Sequence, residues 1–462
     1  MQKEIGQFVL AFFITLLFVS SACAATISCN GSQSDCQAKV NGASDGDTIT
    51  IPSGSFSWST PVTWTDKNIT ILGAGIGSTT IKVSNNYAFK VNAESKSSFR
   101  ISSMKIFASD ANFDGVIRIQ KSYAPAGYGW RIDHIEFVLD ALSGDKAQFG
   151  ISINGITNGV IDNCIFTALK HTCLIHVYAN VQSEEPLKGI AAWSIPLAFG
   201  SKDAVYIENC TFNYTESGVQ VLDVWMGGKV VFRHNTVAKG HLTVHPALSQ
   251  FRAGYSLEVY NNVFTGYGWY RPSDIRGGTG VIFNNLVSGY QVNNFAIRND
   301  RCTTMPGDYG WCNGSAVVDG NISANGWPCE DQIGRRGGTL RNQASEPYYA
   351  WNNGSTSLDG SVKLVLGVAS ENAWIKTIGD ANPHPGGIVD YINNAPKPGY
   401  TPYIYPHPLR MGSTSTTSTT TATAKTTTAI TDTSTTAKTT NSGPFTSSDA
   451  KTKLKRIKIF NR

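Results

Sequence analysis

The stretch Val231-Phe-Arg-His-Asn-Thr-Val237 is followed at short intervals by Glu258-Val-Tyr-Asn-Asn-Val-Phe264 and Val281-Ile-Phe-Asn-Asn-Leu-Val287. Each string combines a β-rich run, a polar turn that contains asparagine, and a final apolar residue. The same pattern occurs three times earlier, in residues 131–137, 160–166 and 206–212. The last residues of the six strings are separated by 29, 46, 25, 27 and 23 positions, and the 46 corresponds to two turns of 23. Such a period indicates one solenoid coil per repeat.

These repeats predict an all-β, single-stranded, right-handed parallel β-helix. A strand in each coil pairs with the equivalent strand of the next coil, and the apolar residues point inward. Asparagine tolerates the left-handed backbone of a corner and can bond to its copy in the next coil, so the corners are expected to lie one above another. The predicted corner residues are Asn163, Asn209, Asn235, Asn262 and Asn285. A β-sandwich is the alternative, but it would need frequent two-residue Asn-Gly hairpins.

The chain of 462 residues divides into four segments by composition. Residues 1–24 have an apolar run and a small-residue cleavage site, which predicts a signal peptide and a secreted or cell-surface protein. Cys23 leaves a lipid-anchored form open as the minor alternative. Residues 25–410 form the predicted β-helix domain, 411–448 a disordered Thr/Ser-rich linker, and 449–462 a basic tail that could associate with the cell surface.

The formal net charge of +5 comes from the C-terminal tail. Residues 413–462 contain eight Lys/Arg and two Asp, a charge of +6, so the rest of the chain carries −1. The predicted domain is therefore not basic, and its charge gives no indication of nucleic-acid binding. We expect a monomer whose partner is a polysaccharide.

Eight cysteines remain after Cys23, an even number that suggests disulfides in an exported chain. Cys29 could pair with Cys36, and Cys302 with Cys312. Cys164 and Cys210 occupy the same place in two repeats, so they are either a disulfide between neighbouring coils or two small buried hydrophobic residues.

The segments Asp45–Gly54 and Asn68–Gly75 resemble the opening coils of secreted pectate-lyase-like β-helix proteins. In that family a short N-terminal helix often precedes such a segment and caps the coil, and residues 34–41 are the candidate. The stretch Pro398–Leu409 also looks like the end of bacterial members. The resemblance covers most of residues 29–409 and implies the fold and an activity on polysaccharides.

Two segments resemble the pectate lyase site, namely Trp130-Arg-Ile-Asp-His134 and the paired coils around Arg252. Arg252 matches the second arginine of the family's Arg-x-Pro-x-x-Arg string, but Ala247 stands where the first arginine, the base, is expected. The family's calcium-binding Asp-Gly-x-x-Asp string is also not found at the expected place. The resemblance therefore does not carry over the calcium-dependent mechanism as a whole.

A lyase needs a base for the C5 proton of a uronate and a cation for its carboxylate. Histidine with a near-neutral pKa suits the first role, and arginine, which binds carboxylates bidentately, suits the second. In-register coils would place His245, Arg252 and Arg276 on one face, although Arg252 could instead brace Glu258 or Asp274. The predicted catalytic residues are His241, His245, Arg252, Arg271 and Arg276. The predicted substrate-binding residues are Asp274, Trp269, Tyr270 and Trp311.

Asp133 and Asp162 sit at repeated polar corners, so they are either a structural ladder or ligands for a metal such as Ca²⁺. The sequence as a whole predicts a polysaccharide lyase acting on an acidic glycan. The alternatives are a non-catalytic glycan-binding or adhesion protein and a glycoside hydrolase. A hydrolase would need two carboxylates on one face, for which Asp274 and Asp308 are the best pair.

Overall fold

The structure is a computed structural model that describes most of residues 23–411. The segments outside the description are 1–22, 85, 97, 110–114, 122–127, 140–147, 169–171, 182–187, 216–219, 248–250, 299–330, 338–342, 356–362, 369–374, 381–386 and 412–462. The predicted linker and basic tail fall in the last of these segments, apart from residue 411, so both stay predictions. In the described part of the chain, no helix has the length and apolar character needed to cross a membrane.

Three stacks of parallel strands, which we call sheets 1, 2 and 3, make up the domain. Sheet 1 contains β1 (Thr26–Ser28), β2 (Thr48–Ile51), β5 (Thr70–Gly73), β8 (Arg100–Ala108), β10 (Tyr128–Leu139), β12 (Asn158–Asp162), β15 (Val205–Glu208), β18 (Lys229–Arg233), β21 (Ser256–Tyr260), β24 (Thr279–Phe283), β29 (Tyr348–Trp351) and β33 (Tyr391–Asn393). Sheet 2 contains β3 (Gly54–Trp58), β6 (Thr79–Val83), the second halves of β8 and β10, β13 (Ile165–Ala168), β16 (Thr211–Tyr214), β19 (Thr236–Ala238), β22 (Val263–Thr265), β25 (Leu286–Ser288) and β30 (Asn353–Ser355).

Sheet 3 completes each coil. Its strands are β4 (Val62–Thr65), β7 (Phe89–Asn92), β9 (Ile117–Gln120), β11 (Gln148–Asn154), β14 (Thr172–Tyr178), β17 (Gln220–Trp225), β20 (His241–Val244), β23 (Ser273–Ile275), β26 (Phe295–Ile297) and β32 (Leu366–Val368). The remaining elements are β27 (Arg335–Arg336), β28 (Ala344–Ser345), β31 (Lys363–Leu364), α1 (Gln33–Gly42), α2 (Ile190–Ser194) and a 3₁₀ turn at Pro408–Arg410. The predicted parallel β-helix is therefore confirmed.

The predicted N-terminal cap is α1, which closes the first coil. The side chain of Gln37 pairs with the backbone of Thr63 on the edge strand, accepting from its N–H at 2.7 Å and donating to its carbonyl at 2.8 Å. The predicted Cys29–Cys36 disulfide is present and joins α1 to the residue that directly follows β1. The cap thus satisfies edge groups that would otherwise be open to another strand.

Aromatic side chains stack from coil to coil inside the solenoid. The rings of Phe137 and Phe166 are 4.6 Å apart and those of Phe166 and Phe212 are 4.9 Å apart, and all three side chains are fully buried. These are the apolar residues that end the sequence repeats. Equivalent residues of successive coils therefore bury one another, as the repeat pattern predicts.

A ladder of buried asparagines locks the corner between sheets 1 and 2. The side-chain amide of Asn262 donates to Oδ1 of Asn285 at 2.9 Å, and its own Oδ1 accepts from the backbone N–H of Asn235 at 2.8 Å. Asn285 continues the ladder to Asn353 at 2.9 Å. Each of these amides also bonds to a backbone carbonyl, so the polar groups of the turn are paired without water.

The predicted corner register is wrong by one residue for two of the five positions. Thr211 pairs with both Ile165 and Thr236, which makes Cys164, Cys210 and Asn235 equivalent positions in successive coils. The residue with the left-handed backbone is the one before each ladder position. We had assigned the left-handed backbone and the ladder hydrogen bonds to a single asparagine, but two neighbouring residues divide these roles. The left-handed residues are Asn163, Asn209, His234, Asn261, Asn284 and Asn352.

The structure also decides between the two alternatives that the sequence left open for Cys164 and Cys210, a disulfide or two small buried residues. Both thiols are free and buried at the ladder positions, so the disulfide alternative is wrong and the alternative of two small buried residues is confirmed. Cys173 is likewise free and buried. Cys302 and Cys312 lie outside the described residues.

The predicted C-terminal stretch packs across the outer face of sheet 1. Tyr400 donates to Glu258 at 2.6 Å, and Arg233 donates to the carbonyls of Tyr403 and Ile404 at 2.7 and 2.9 Å. Arg410 reaches Glu208 at 2.9 Å further along the same sheet. This segment therefore covers the outer face of sheet 1 from β10 to β29.

We expect Asn262→Ala to lower the free energy of unfolding by about 3 kcal/mol, because several buried backbone and amide groups lose their partners. Urea unfolding followed by circular dichroism measures the change. The control is Asn261→Gly, which keeps the left-handed backbone of the adjacent exposed residue and should leave the midpoint almost unchanged. Equal urea midpoints for the two variants would contradict the claim that the asparagine ladder stabilises the fold.

Candidate active site on sheet 3

A straight row of outward-facing side chains runs along sheet 3. Pairing in register places these residues in successive coils although they are far apart in the sequence. The row is Arg118, Ser152, His176, Asp223, Thr243, Asp274 and Ala296. Since neighbouring strands lie about 4.8 Å apart, each step along the row is close to the length of one sugar ring in a polymer.

An aspartate–histidine pair lies in the middle of this row. Nδ1 of His245 is 2.5 Å from Oδ1 of Asp223, and Nε2 of His176 is 3.6 Å from the other oxygen of that carboxylate. Burial acts to raise the pKa of Asp223, but the charge and hydrogen bond of His245, with the charges of His176 and Arg276, hold the pKa below its ordinary value. An ionised carboxylate at this distance accepts a hydrogen bond from Nδ1–H of His245, so Nε2 is the ring nitrogen that does not contact Asp223.

The indole ring of Trp225 stacks on the imidazole ring of His245. The two rings are stacked with centroids 4.7 Å apart, and Trp225 in turn contacts Phe251 at 4.8 Å. The side chain of His245 is 21% exposed, whereas that of Asp223 is 5% exposed. The buried carboxylate and the aromatic ring thus fix the orientation of a histidine that solvent or a ligand can reach.

Three arginines surround Asp274 one coil further along. The nearest atoms are 3.0 Å away for Arg271, 3.7 Å for Arg276 and 2.9 Å for Arg298. Among the described residues, Asp274 is the carboxylate that these three guanidinium groups share. Arginine presents a planar fork of donors that matches a carboxylate, so this cluster is suited to bind the carboxylate of a ligand.

The base candidate and the arginine cluster are adjacent because of the coil register. Val244 pairs with Ile275 at the ends of β20 and β23, and His245 and Arg276 are the residues that directly follow these two strands. The backbone N–H of Arg276 donates to Val244 at 3.0 Å, which confirms that the two coils are directly joined here. The prediction that His245 and Arg276 share one face is therefore confirmed, while their catalytic roles stay predictions.

His241, Trp269 and Tyr270 lie beside the cluster in different environments. Burial lowers the pKa of His241 to about 4, and its Nδ1 accepts from the indole N–H of Trp269 at 3.4 Å. This histidine is neutral near pH 7 and packs against Trp269. Tyr270 is 51% exposed, with the guanidinium of Arg271 4.7 Å from its ring centroid, so it is the accessible aromatic residue. Trp311 lies outside the described residues.

Arg252 does not belong to this face, which corrects the sequence-based prediction. Its side chain is fully buried and forms two bonds to Asp331, of 2.6 and 2.7 Å, beneath the ring of Trp193. The alternative that Arg252 forms a structural ion pair is therefore closer to what is observed, although its partner is neither Glu258 nor Asp274. The sequence could not indicate Asp331, because that residue is 79 positions away in a segment without a repeat.

The predicted metal positions form a ladder of ion pairs. Arg100 binds Asp133 through two bonds of 2.6 Å, and Arg131 binds Asp162 through bonds of 2.8 and 2.9 Å. Their carboxylates are thus engaged by arginines, as the structural alternative predicts. No group of three or more His, Cys, Asp or Glu in the described ranges could hold a metal ion.

We did not identify three residues of this face from the sequence, namely Asp223, His176 and Arg298. A signal was present for two of them, because Asp223 is the one charged residue within Val221-Leu-Asp-Val224, and the string Phe295-Ala-Ile-Arg298 parallels Ser273-Asp-Ile-Arg276. Aligning the strands of sheet 3, rather than the corners alone, would have placed both on the face of His245.

A groove of about 480 Å³ continues the same face towards the N-terminus. His176 belongs both to this groove and to the aspartate–histidine site. The groove is lined by Arg118, Gln120, Lys121, Asn154, His176, Tyr178, Asn180, Val181, Lys188, Trp225, Met226 and Phe251. Of the described residues that line it, none is acidic and three carry positive charge.

Three solved structures illustrate what the chain is similar to. Alginate lyase from Paenibacillus sp. str. FPU-7 has a TM-score of 0.35 at 15% identity, over 59% of this chain and 97% of that one. The mannuronan C-5 epimerase AlgE6 A-module of Azotobacter vinelandii has a TM-score of 0.42 at 13% identity, over 80% and 94%. The catalytic domain of a GH87 alpha-1,3-glucanase in complex with nigerose has a TM-score of 0.27 at 12% identity, over 76% and 68%. Likeness at this level carries no information about activity.

No protein-family model matches this chain. No curated protein matches it. The resemblance to pectate-lyase-like proteins therefore stays a prediction.

We expect Arg252→Met to lower the free energy of unfolding by about 3–5 kcal/mol, because it leaves Asp331 buried and unpaired. The matched control is Arg276→Met on the partly exposed cluster, which should cost far less. Urea midpoints of the two variants give the comparison. If Arg252→Met unfolds at the wild-type midpoint, the buried pair does not stabilise the fold as described.

Proposed function

We propose that this protein is a secreted polysaccharide lyase that cleaves a uronate-containing glycan by β-elimination. The observation that carries the proposal is the adjacency of the Asp223–His245 pair and three arginines in successive coils of sheet 3. The reaction demands a base at C5 and a cation at the neighbouring carboxylate. This face offers both from adjacent coils.

In the proposed reaction, Nε2 of His245 accepts the C5 proton while Asp223 orients the ring and stabilises the imidazolium that forms. Arg276, with Arg271 and Arg298 beside it, binds the uronate carboxylate and stabilises the charge that develops as the C–H bond breaks. The electron pair of that bond forms the C4–C5 double bond, and the C4–O bond breaks. The leaving oxygen takes up a proton from solvent.

Hydrolysis fits this face less well. It needs one carboxyl group that stays protonated and a second that is ionised. The pKa of Asp223 is lowered, so it cannot act as the acid, and Asp274 is bound by arginines. Asp308, the other predicted carboxylate, lies outside the described residues. Export through the N-terminal stretch is a further part of the proposal that rests on the sequence alone. Binding of Ca²⁺, the other expectation from the sequence, has no support at Asp133 and Asp162, whose carboxylates are paired with arginines.

We expect His245→Gln to lower kcat by about 100- to 10,000-fold, because general-base catalysis contributes that range. The assay follows the ultraviolet absorbance of unsaturated products from pectate, alginate and related polymers, with and without calcium. His234→Asn is the matched control, since His234 stacks on Tyr405 at the opposite corner and Asn suits its left-handed backbone. Its kcat should equal that of the wild type.

Each other outcome has a defined meaning. Full activity of His245→Gln would overturn the assignment of the base. Reducing ends without unsaturation would indicate a hydrolase. Binding of an acidic polymer without cleavage of any polymer would support the glycan-binding or adhesion protein instead.

A further inference from the structure

We propose that Trp225 is a positioning residue for the reaction, whose indole ring stabilises the imidazolium that forms when His245 takes up the C5 proton. This inference rests on the proposed function, because it assigns a role to the residue that stacks on the proposed base. Trp225 acts through His245 and needs no contact with the reacting atoms of the sugar.

The register of sheet 3 brings the two rings into contact. Val224 of β17 pairs with Val244 of β20, so Trp225 and His245 are the next residues in these adjacent coils. The backbone N–H of His245 donates to the carbonyl of Val224 at 2.9 Å, which continues the pairing to this point. The ring planes are 27° apart, so the face of the indole lies against the face of the imidazole. The ring nitrogens lie in the imidazole plane, so a partner on the face does not block them.

An indole face favours a charged imidazole over a neutral one. The face of an aromatic ring carries negative potential, and tryptophan is the aromatic residue that attracts cations most strongly. The 4.7 Å between the two centroids lies within the range of this attraction. His245 becomes charged only when it accepts the proton, so the attraction grows during the reaction. An interaction that is stronger in the transition state than in the ground state accelerates the chemical step.

A second segment of the chain supports the indole ring. The ring of Phe251 lies 4.8 Å from that of Trp225, and Ala253 forms an antiparallel bridge with Trp225. The backbone N–H of the residue after Trp225 donates to the carbonyl of Arg252 at 3.0 Å. The side chain of Arg252 is held by Asp331, whose carboxylate also accepts from the backbone N–H of Ala253 at 3.2 Å. The buried ion pair is therefore part of the support of the indole ring.

The base also has charged neighbours, whose effect must be separated from that of the indole. In the described strands and turns of this face they are His176, Asp223, Arg271, Asp274, Arg276 and Arg298. A substitution of Trp225 alters none of these charges. A change in the pH dependence of such a variant therefore reports the loss of the indole.

Tryptophan fluorescence tests the contact without any substrate. A protonated imidazole quenches the emission of an indole that it contacts, so we expect the wild-type emission to rise between about pH 5 and about pH 8, where histidine loses its proton. The rise should be absent in His245→Gln and in Trp225→Leu. A second stacked pair, Trp269 and His241, should give no step in this range, because burial lowers the pKa of His241 to about 4.

The pH–rate profile tests the role in catalysis, on the polymer that the protein cleaves. We expect Trp225→Leu to lower kcat by about 2- to 30-fold at unchanged KM, the fold-change of a cation–π contact of about 0.5–2 kcal/mol. The acidic limb of the profile should move to lower pH, because the protonated imidazole loses its stabilisation. Trp225→Phe keeps an aromatic face and should recover most of the rate.

The matched control is Trp351→Leu, which removes a stacked, partly buried indole from sheet 1 and should keep the wild-type profile. Urea midpoints show that each variant is folded. A wild-type acidic limb in Trp225→Leu, with His245→Gln impaired as expected, would overturn the positioning role and keep the lyase. Equal losses in Trp225→Leu and Trp225→Phe, or emission without a pH step, would also overturn that role. A protein that cleaves no polymer would refute the lyase, and the positioning role with it.

Discussion

The register between coils is the constraint on which every other feature of this protein depends. Backbone pairing alone would allow a strand to slip, and a slip of one residue would exchange the inner and outer faces. The buried ladder from Asn235 to Asn353 opposes such a slip, because each amide bonds to the coils on both sides and would lose several partners. The stacked phenylalanines in the apolar core also favour this register, because each ring packs on its equivalent in the next coil.

The proposed site is a direct consequence of that register. Asp223, His245 and Arg276 come from three coils, and no segment of the chain contains them together. The C-terminal segment packs on sheet 1, and the ion pairs of Arg100 and Arg131 lie on that same sheet. On the outer face of sheet 3, a buried carboxylate orients His245, and His245 and the arginines around Asp274 stay partly exposed.

The fold could be predicted from the sequence because residues at equivalent positions of the repeat stack on one another in successive coils. The corner was misplaced by one residue at Asn163 and Asn209, since asparagine suits both the left-handed position and the ladder, and the sequence alone does not separate the two. His245 and Arg276 were found because they follow equivalent strands. Arg252 was misassigned because its partner, Asp331, is remote in the chain, and Asp223 was overlooked because a single acid in an apolar strand resembles an ordinary surface residue.

A crystal structure of the His245→Gln variant with a bound uronate oligosaccharide tests the central claim most directly. The account predicts a sugar carboxylate within hydrogen-bond distance of Arg276 or Arg298, with C5 of that sugar facing the side chain at position 245. The remaining sugars should follow sheet 3 towards His176. An oligosaccharide seated on sheet 1 or sheet 2, or one whose carboxylates avoid the arginine cluster, would contradict it.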